Sequence, residues 1–142
     1  MVGNPPENCP RVTPYIFYRD VAAAVDWLGR AFGFEKKLAM EGEDGTVQHA
    51  EMAMADGLVM MGCPGPDYAN PAAVGHPTVG ILVYVDGVDA HCEHARASGA
   101  TIVSEPEDKP YGDRMYAADD LEGHRWYFAT HVRDVPPDEM QA

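Results

Sequence analysis

The chain has little cysteine and little positive charge. Its three cysteines, Cys9, Cys63 and Cys92, are odd in number and far apart, a pattern that favours reduced thiols over a disulfide framework or a zinc knuckle. Only 10 lysines and arginines stand against 23 acidic residues, which gives a formal net charge of −13. A surface this negative repels phosphate backbones and anionic lipids and attracts cations. We therefore expect neither nucleic acid nor a membrane as a partner.

The chain also lacks a long apolar run. No stretch approaches the roughly 20 apolar residues that a bilayer-spanning helix requires. The first ten residues contain Pro5, Pro6 and Pro10 but no basic segment followed by an apolar one, so no secretory signal is visible. The expectation that follows is a cytoplasmic location.

What the chain does contain is an internal repeat with a constant spacing. Asp20, Gly33 and Gly57 recur in the second half of the chain, at one and the same spacing, as Asp86, Gly99 and Gly123. Further residues around them match at that spacing too: Tyr18 with Tyr84, Ala24 with Ala90, Arg30 with Arg96, and Ala31 with Ala97. Several matches at one spacing, without a gap, indicate two copies of one supersecondary unit of about 60 residues.

Each copy is predicted to form a strand, a helix and three more strands. In the first copy Asp20 caps the helix, Gly33 stops it, and apolar residues recur between them at the spacing of one helix face. Asp56-Gly57 is typical of a two-residue hairpin turn. The predicted strands are 13–18, 35–40, 47–55 and 58–63 around a helix at 20–32, and then 80–85, 100–104, 114–119 and 124–131 around a helix at 88–98. The sequence thus predicts an α+β fold of two βαβββ modules.

The organisation of the chain follows from these modules. An N-terminal arm, 1–12, precedes the first βαβββ module at 13–63, and the second module spans 80–132. Between the modules, 64–79 is rich in proline and glycine and is predicted to be a linker. The acidic tail, 133–142, is expected to be mobile.

Five short motifs resemble one known family. They are Asp20-Val21-Ala22-Ala23-Ala24-Val25, Arg30-Ala31-Phe32-Gly33-Phe34, His49-Ala50-Glu51, Tyr111-Gly112-Asp113-Arg114 and Gly123-His124-Arg125-Trp126. Together with the two modules, they make 13–132 similar to the vicinal oxygen chelate superfamily, which includes glyoxalase I, extradiol dioxygenases and bleomycin resistance proteins. This superfamily hosts many chemistries on one scaffold, so the resemblance is specific for the fold and weak for the reaction.

The resemblance implies a cupped mixed sheet with helices outside and a ligand inside, and a homodimer. In the metal-dependent members, His, Glu or Gln ligands come from the first and last strand of each module. Here the resemblance puts those positions at Thr13 or Pro14, at Gly80, near Met60 or Met61, and at Tyr127. None of these side chains is a carboxylate or an imidazole, and a thioether is a weak ligand for a hard divalent ion. We therefore expect no metal and no cofactor.

Ligand-binding residues are expected on the strands. His49 and Glu51 alternate with apolar residues, so both point to one face, either into the cup, as ligand contacts or an acid–base pair, or onto a solvated sheet edge. In the family pattern Arg114 follows a loop at the cavity rim, where it would contact the ligand or form an ion pair with Asp113. Aromatic and thioether side chains complete the predicted set: Tyr15, Phe17, Met61, Tyr116, Trp126 and Tyr127.

The expected function is that of a metal-free protein that binds a small, drug-like molecule, as an antibiotic resistance protein sequesters its drug. An aromatic cup with acidic surroundings suits a planar cationic compound. No catalytic residue is predicted, and His91 and His94 are expected to face solvent on the second helix. The alternative is a metal-dependent lyase, isomerase or dioxygenase of the same superfamily, which would need metal ligands and basic residues at the cavity.

Overall fold

A computed structural model describes residues 2–140 of the chain. These residues form two compact units, with the boundary between Asn70 and Pro71. Each unit holds one four-stranded mixed sheet with a helix on one face. The predicted α+β fold of two βαβββ modules is thereby confirmed.

The first unit carries four strands and one helix. They are β1 (Tyr15–Phe17), α1 (Val21–Phe32), β2 (Glu35–Glu41), β3 (Val47–Met54) and β4 (Gly57–Gly62). The strand order is β1-β4-β3-β2, with β1 parallel to β4 and the other pairs antiparallel. Since β1 and β3 both pair with β4, side chains from distant parts of the sequence meet on each face of this sheet.

The helix α1 begins and ends where the sequence predicts and determines which face of the sheet is covered. The Asp20 carboxylate accepts a hydrogen bond from the Ala23 backbone N–H at 3.0 Å, and Gly33 ends the helix with a left-handed φ of 87°. The sheet residues buried on the helix side are Ile16, Ala50, Met52, Val59 and Met61. No helix of the described first unit covers the other side, which we call the open face of the first sheet.

The second unit repeats this order of elements. After a short helix, α2 (Pro71–Val74), come β5 (Gly80–Tyr84), α3 (Val88–Ala97), β6 (Thr101–Asp108), β7 (Asp113–Asp119) and β8 (Arg125–His131). The strand order is β5-β8-β7-β6, again with one parallel and two antiparallel pairs. A 3₁₀ turn, Pro137–Glu139, lies near the C-terminus. The largest buried side chains of this unit are Tyr116, Trp126, Phe128 and Cys92.

The spacing between corresponding residues changes along the repeat. In the first hairpin Ala53 pairs with Leu58, and in the second, Asp119 pairs with Arg125. The second hairpin turn therefore holds one more residue than the first. As a result, corresponding residues of β4 and β8 are one residue further apart in the sequence than corresponding residues of β3 and β7. The Asp120 carboxylate organises this longer turn, because it accepts hydrogen bonds from two backbone N–H groups within it and from an indole N–H, each at 3.0 Å: those of Glu122, His124 and Trp126.

This extra residue corrects one prediction. A shift of one residue moves a strand side chain to the opposite face of a sheet. Met61 and Tyr127, which the constant spacing of the repeat equates, therefore lie on opposite faces: Met61 is buried on the helix side and Tyr127 is half-buried on the side without a helix. The counterpart of Tyr127 in the first unit is Met60.

Two further details differ from the prediction. The first hairpin turn is Ala55-Asp56, one residue earlier than expected, with Ala55 at φ 51° and Gly57 paired with Met54 in the ladder. Gly57 suits this place because a Cβ there would lie 3.3 Å from the Met54 carbonyl oxygen. In addition, β6 continues well beyond its predicted end and passes through Pro106. A proline is tolerated there because β6 is an edge strand.

The predicted linker is partly helical. It contains α2, whose Ala72 backbone N–H donates a hydrogen bond to the Glu122 carbonyl at 3.0 Å. Gly123 lies beneath this contact, where a Cβ would come within 2.7 Å of the Ala72 nitrogen. The end of the linker is thereby attached to the second hairpin turn.

Candidate functional site

Four of the predicted ligand residues share the open face of the first sheet. Residues opposite one another in a sheet point to the same side, and Met60 pairs with both Tyr15 on β1 and Glu51 on β3. His49, two residues from Glu51, and Phe17, two residues from Tyr15, point the same way. The sequence prediction that His49 and Glu51 share one face of β3 therefore agrees with the observed pairing.

An exposed aromatic pair lies on this face. The side chains of Tyr15 and Phe17 are 49% and 46% exposed, and their ring centroids are 6.2 Å apart in an edge-to-face arrangement. Tyr68 extends the pair: its ring packs edge-on against Phe17 at 5.8 Å, and its hydroxyl donates to the Phe17 carbonyl at 3.0 Å. Tyr68 comes from the predicted linker, where its sequence context gives no sign of this role.

Tyr15, His49 and Glu51 form a continuous chain of hydrogen bonds. The Tyr15 hydroxyl lies 2.9 Å from Nδ1 of His49, and Nε2 of His49 lies 2.9 Å from Oε2 of Glu51. The Tyr15 and His49 rings also stack, with centroids 5.6 Å apart. The side chains of His49 and Glu51 are 24% and 26% exposed, so solvent and small molecules reach both. We call this group the Tyr15–His49–Glu51 chain.

Gly62 makes room for this chain. A Cβ at position 62 would lie 2.5 Å from the Tyr15 hydroxyl oxygen, so the Tyr15 ring leans over a place that any other residue would fill. Gly62 pairs with His49 across the ladder, which brings the two rings together over the glycine. Gly62 is not among the site residues predicted from the sequence, although a glycine inside a strand often marks a place where another group packs closely against the backbone.

The N-terminal arm adds a cavity over the part of the open face that holds Glu51 and Met60. A cavity of 790 Å³ lies between arm residues 6–10 and the open face, where it reaches Glu51, Leu58 and Met60. Its charged lining consists of three carboxylates and one ammonium group, from Glu7, Glu51, Asp56 and Lys37. The arm was predicted as a separate segment, and its role as a wall of this cavity could not be read from its sequence.

The second unit serves as an internal comparison for this face. At the spacings given by the strand pairing, Tyr15, His49 and Glu51 correspond to Leu82, Met115 and Ala117. The second sheet therefore forms the same ladder with three apolar side chains at these places. The Tyr15–His49–Glu51 chain is consequently not a requirement of the fold.

Three predicted ligand residues belong to the core instead. Met61, Tyr116 and Trp126 have no exposed surface and lie on the helix side of their sheets. The Tyr116 hydroxyl is 2.6 Å from Nδ1 of His91 on α3, and burial raises the pKa of Tyr116. A side chain in this layer cannot contact a ligand on the other side of the sheet, which corrects the prediction for these three residues.

Arg114 and His91 also differ from expectation. Arg114 forms a bidentate ion pair with Asp89 of α3, at 3.0 Å for both bonds, and a further bond of 3.2 Å to Asp108. These bonds raise the pKa of the Arg114 guanidinium. The alternative reading of Arg114, as an ion-pair partner, therefore fits, although the partner is not Asp113. His91 is half-buried against Tyr116, which corrects its assignment to solvent.

Tyr127 lies on the side of the second sheet that has no helix. Its ring leans over Gly80 of the neighbouring strand β5, where a Cβ would lie 2.5 Å from Cε2 of Tyr127. This is the same arrangement as Tyr15 over Gly62. It leaves Tyr127 half-buried, on a face that also carries the exposed side chains of Leu82 and Tyr84.

The donor set of the open face does not fit a metal ion. A catalytic metal takes about three protein ligands, whereas this face offers His49 and Glu51, and both ring nitrogens of His49 are engaged, one by Tyr15 and the other by Glu51. In the described part of the chain, residues 2–140, one group of three potential ligands is close enough to share an ion: Cys92, Glu93 and Glu105. This group is on α3 and β6, and Arg96 already bonds both glutamates.

Comparison with known proteins identifies the family. The family described as the glyoxalase/bleomycin resistance protein/dioxygenase superfamily matches residues 10–128, most of the chain. The chain belongs to this superfamily. The resemblance seen in the sequence motifs is thus confirmed, and the fold with two four-stranded sheets is the one expected for a member.

Individual proteins resemble the chain to different degrees. An uncharacterised protein of Mycobacterium bovis is 33% identical over 138 residues, covering 94% of this chain and 91% of its own length. The crystal structure of TioX from Micromonospora sp. ML1 is 39% identical, covers 87% of this chain and 100% of its own, and superposes with a TM-score of 0.72. TnmS3, an antibiotic binding protein from Streptomyces sp. CB03234, is 19% identical over 87% of this chain and 98% of its own, with a TM-score of 0.65, and so shares the fold.

Within residues 2–140, no helix combines the length and the apolar character that crossing a membrane demands.

Proposed function

We propose that this protein binds a planar, cationic aromatic molecule on the open face of its first sheet, without a metal ion. The observation that carries the proposal is the exposed Tyr15–Phe17 pair beside the Glu51 carboxylate. The binding of an antibiotic by TnmS3, a protein of the same fold, is consistent with this proposal but does not name the ligand.

The aromatic pair supplies the apolar contact. Tyr15 and Phe17 are nearly half exposed, and aromatic pairs in an offset or edge-to-face arrangement contribute about 0.5–1.5 kcal/mol beyond the burial of their area. A cationic ring over an aromatic face adds about 0.5–2 kcal/mol, depending on how much water is excluded. Met60, between the aromatic pair and Glu51, offers a flexible thioether that adapts to different ring shapes.

The charge of the site favours a cation. Three carboxylates and one ammonium line the cavity over Glu51 and Met60, and Lys37 is itself paired with Glu35 at 3.2 Å. The whole chain carries a net charge of −13, so its field also raises the local concentration of cations. An anionic substrate would meet repulsion at the same place.

A pair of dyes with the same three-ring frame tests this proposal. We expect 9-aminoacridine, a cation at neutral pH, to bind about tenfold more tightly than neutral acridone in fluorescence titrations. Glu51→Gln should reduce this advantage to about threefold or less, because it removes the nearest carboxylate charge. Glu139→Gln, which changes the net charge equally at an exposed place outside the site, should leave the advantage unchanged.

A second variant pair tests the stacking surface. Phe17→Ala should weaken the binding of both dyes by about tenfold, since it removes one of two aromatic contacts. Val132→Ala, a similar truncation of an exposed apolar side chain in the second unit, should change neither affinity. Equal binding by wild type and Phe17→Ala would contradict the proposed location.

Two expectations from the sequence stay predictions. The homodimer implied by the family resemblance is tested by light scattering of the purified protein. The cytoplasmic location is tested by fractionation of the producing cell. The alternative of a metal-dependent lyase, isomerase or dioxygenase finds no support in the donor set of the open face.

A further inference from the structure

The hydrogen bonds of the Tyr15–His49–Glu51 chain run in one direction. An ionised carboxylate accepts hydrogen bonds and donates none, so Nε2 of His49 carries the proton that faces Glu51. In a neutral imidazole the other nitrogen, Nδ1, is then an acceptor. With His49 neutral, the Tyr15 hydroxyl, 2.9 Å from Nδ1, donates its proton to His49.

The direction of these bonds determines what Tyr15 can offer a ligand. Its one hydroxyl proton is engaged by His49, and its oxygen has no second hydrogen-bond partner among residues 2–140. Only lone pairs remain available on that oxygen, on a side chain that is nearly half exposed. Because the chain ends at a carboxylate, the hydrogen bonds polarise one another and make the Tyr15 oxygen a stronger acceptor than an isolated phenol.

Glu51 contributes a second acceptor on the same face. Its Oε2 is bonded to His49, and within the described residues no further partner is found for the carboxylate, which lines the cavity. The Tyr15–His49–Glu51 chain thus presents acceptor atoms at both of its ends. A ligand that stacks on Tyr15 and Phe17 gains hydrogen bonds here only through N–H or O–H groups at its edge.

The second unit indicates that the sheet does not require polar side chains at these three places. The same three places hold Leu82, Met115 and Ala117 in the second unit, and its sheet forms with the same strand order. Three polar side chains on an open face, with a glycine beneath them to make room, are thus an addition to the scaffold. The direction of their hydrogen bonds determines which groups of a ligand they can bind.

We propose that the Tyr15–His49–Glu51 chain selects planar aromatic ligands that carry N–H or O–H donors on the ring edge, such as aromatic amines and phenols. This inference rests on the proposed function, since it assumes that a planar aromatic stacks on the open face. It goes further by naming the functional groups of the ligand and the atoms that recognise them, the Tyr15 oxygen and the Glu51 carboxylate.

Two dyes that differ in their edge groups test the selection. Proflavine and acridine orange share one cationic three-ring frame, but proflavine carries two amino groups where acridine orange carries two dimethylamino groups. We expect wild-type protein to bind proflavine about tenfold more tightly at neutral pH, the effect of about one hydrogen bond to an acceptor chain that ends in a charge. Tyr15→Phe keeps the ring for stacking and removes the acceptor, so the preference should fall to about twofold or less.

Two more variants separate this effect from a general disturbance of the site. His49→Met copies the second unit, breaks the chain and should reduce the preference in the same way as Tyr15→Phe. Tyr111→Phe removes a hydroxyl from an exposed tyrosine of the second unit and should keep the tenfold preference. Acridine orange, which lacks exocyclic donors, should bind wild type and Tyr15→Phe with affinities that agree within about twofold.

The outcomes distinguish failure of this inference from failure of the proposed function. If both dyes bind wild type with equal affinity, or if the preference survives in Tyr15→Phe, donor selection is overturned while the aromatic binding site stands. If neither dye binds wild type, the binding site itself is wrong and the selection falls with it.

Discussion

At the scale of single residues, the site depends on Gly62 as much as on the side chains around it. Tyr15 leans over Gly62 and Tyr127 leans over Gly80, and in each case a Cβ on the glycine would lie 2.5 Å from the tyrosine ring or its hydroxyl. The first glycine allows Tyr15 to reach His49. The glycine, and not the tyrosine alone, therefore determines the chemistry that the open face presents.

A substitution at Gly62 tests this dependence. In Gly62→Ala the new Cβ would force the Tyr15 hydroxyl away from His49, because the two cannot occupy the same place. The backbone at this position needs no left-handed φ, so we expect a loss of less than about 2 kcal/mol in the free energy of unfolding. The preference for proflavine over acridine orange should fall as it does in Tyr15→Phe.

Gly57→Ala provides the control for this variant. It adds the same methyl group to the same strand, but the nearest atom is the Met54 carbonyl oxygen at 3.3 Å, and no atom of Tyr15, His49 or Glu51 lies within 4 Å of the added carbon. The dye preference should persist in Gly57→Ala. If Gly62→Ala kept both its stability and its dye preference, Tyr15 would not depend on the glycine.

The sequence predicts the local part of this site and misses the long-range part. Alternation along β3 is enough to place His49 and Glu51 on one face, because it depends only on neighbours in the chain. The bond from Tyr15 to His49 joins residues on β1 and β3, which meet only because both strands pair with β4. A single sequence does not fix that register, so neither the hydrogen bond nor the need for Gly62 could be derived from it.

At the scale of elements, the length of the second hairpin turn determines which side chains of β8 lie on the side of the sheet without a helix. The internal repeat predicts the order and type of nearly every strand and helix, because matched glycines and apolar periods are strong local signals. The second hairpin turn holds one extra residue, organised by Asp120, and it reverses the facing of the strand that follows. The constant spacing of the repeat equates Met61 with Tyr127, but Met61 is buried on the helix side, and so is Trp126, which the sequence places in the binding set.

The end of β8 carries a network that responds to pH. Asp113, which is buried, accepts hydrogen bonds from the Tyr84 hydroxyl and from Nδ1 of His131, both at 2.8 Å. Nε2 of His131 bonds the Asp134 carboxylate at 2.7 Å, which attaches the segment after β8 to the sheet. These bonds, first to Asp113 and then to Asp134, raise the pKa of His131 above its ordinary 6.5, and the bond to Asp113 raises the pKa of Tyr84.

The sign of this pKa shift predicts a pH dependence. Because the pKa of His131 is raised in the folded protein, its protonation stabilises the folded state fully below the ordinary pKa of 6.5, and this contribution is lost as the pH rises through the raised value. We expect the titration of the His131 ring in NMR spectra to have its midpoint above 6.5. Amide exchange in residues 133–140 should become faster, beyond its intrinsic pH dependence, across the same interval.

Asp134→Asn provides a graded comparison for this prediction. It keeps the bond from His131 to Asp113 but removes one carboxylate charge, so the titration midpoint should move down towards 6.5. A wild-type midpoint at or below 6.5, or one that does not respond to Asp134→Asn, would show that the network does not hold a charged imidazole.

At the scale of the whole molecule, one fold is used twice with two different open faces. Both units form the same strand order, yet the first presents tyrosine, histidine and glutamate where the second presents leucine, methionine and alanine. The net charge of −13 adds a field that favours cations throughout. The composition predicts this preference for cations, whereas the strand pairing is needed to show that the first unit carries the Tyr15–His49–Glu51 chain.

The central claim is that a planar aromatic cation binds to the open face of the first sheet without a metal ion. Its most direct test is a titration of isotope-labelled protein with 9-aminoacridine in buffer that contains EDTA, followed by NMR. We predict saturable shifts of the backbone amides of β1, β3 and β4, largest around Tyr15, His49 and Met60, with little change in α1 or in the second unit. An absence of shifts in the presence of EDTA, or shifts confined to the second unit, would contradict the account.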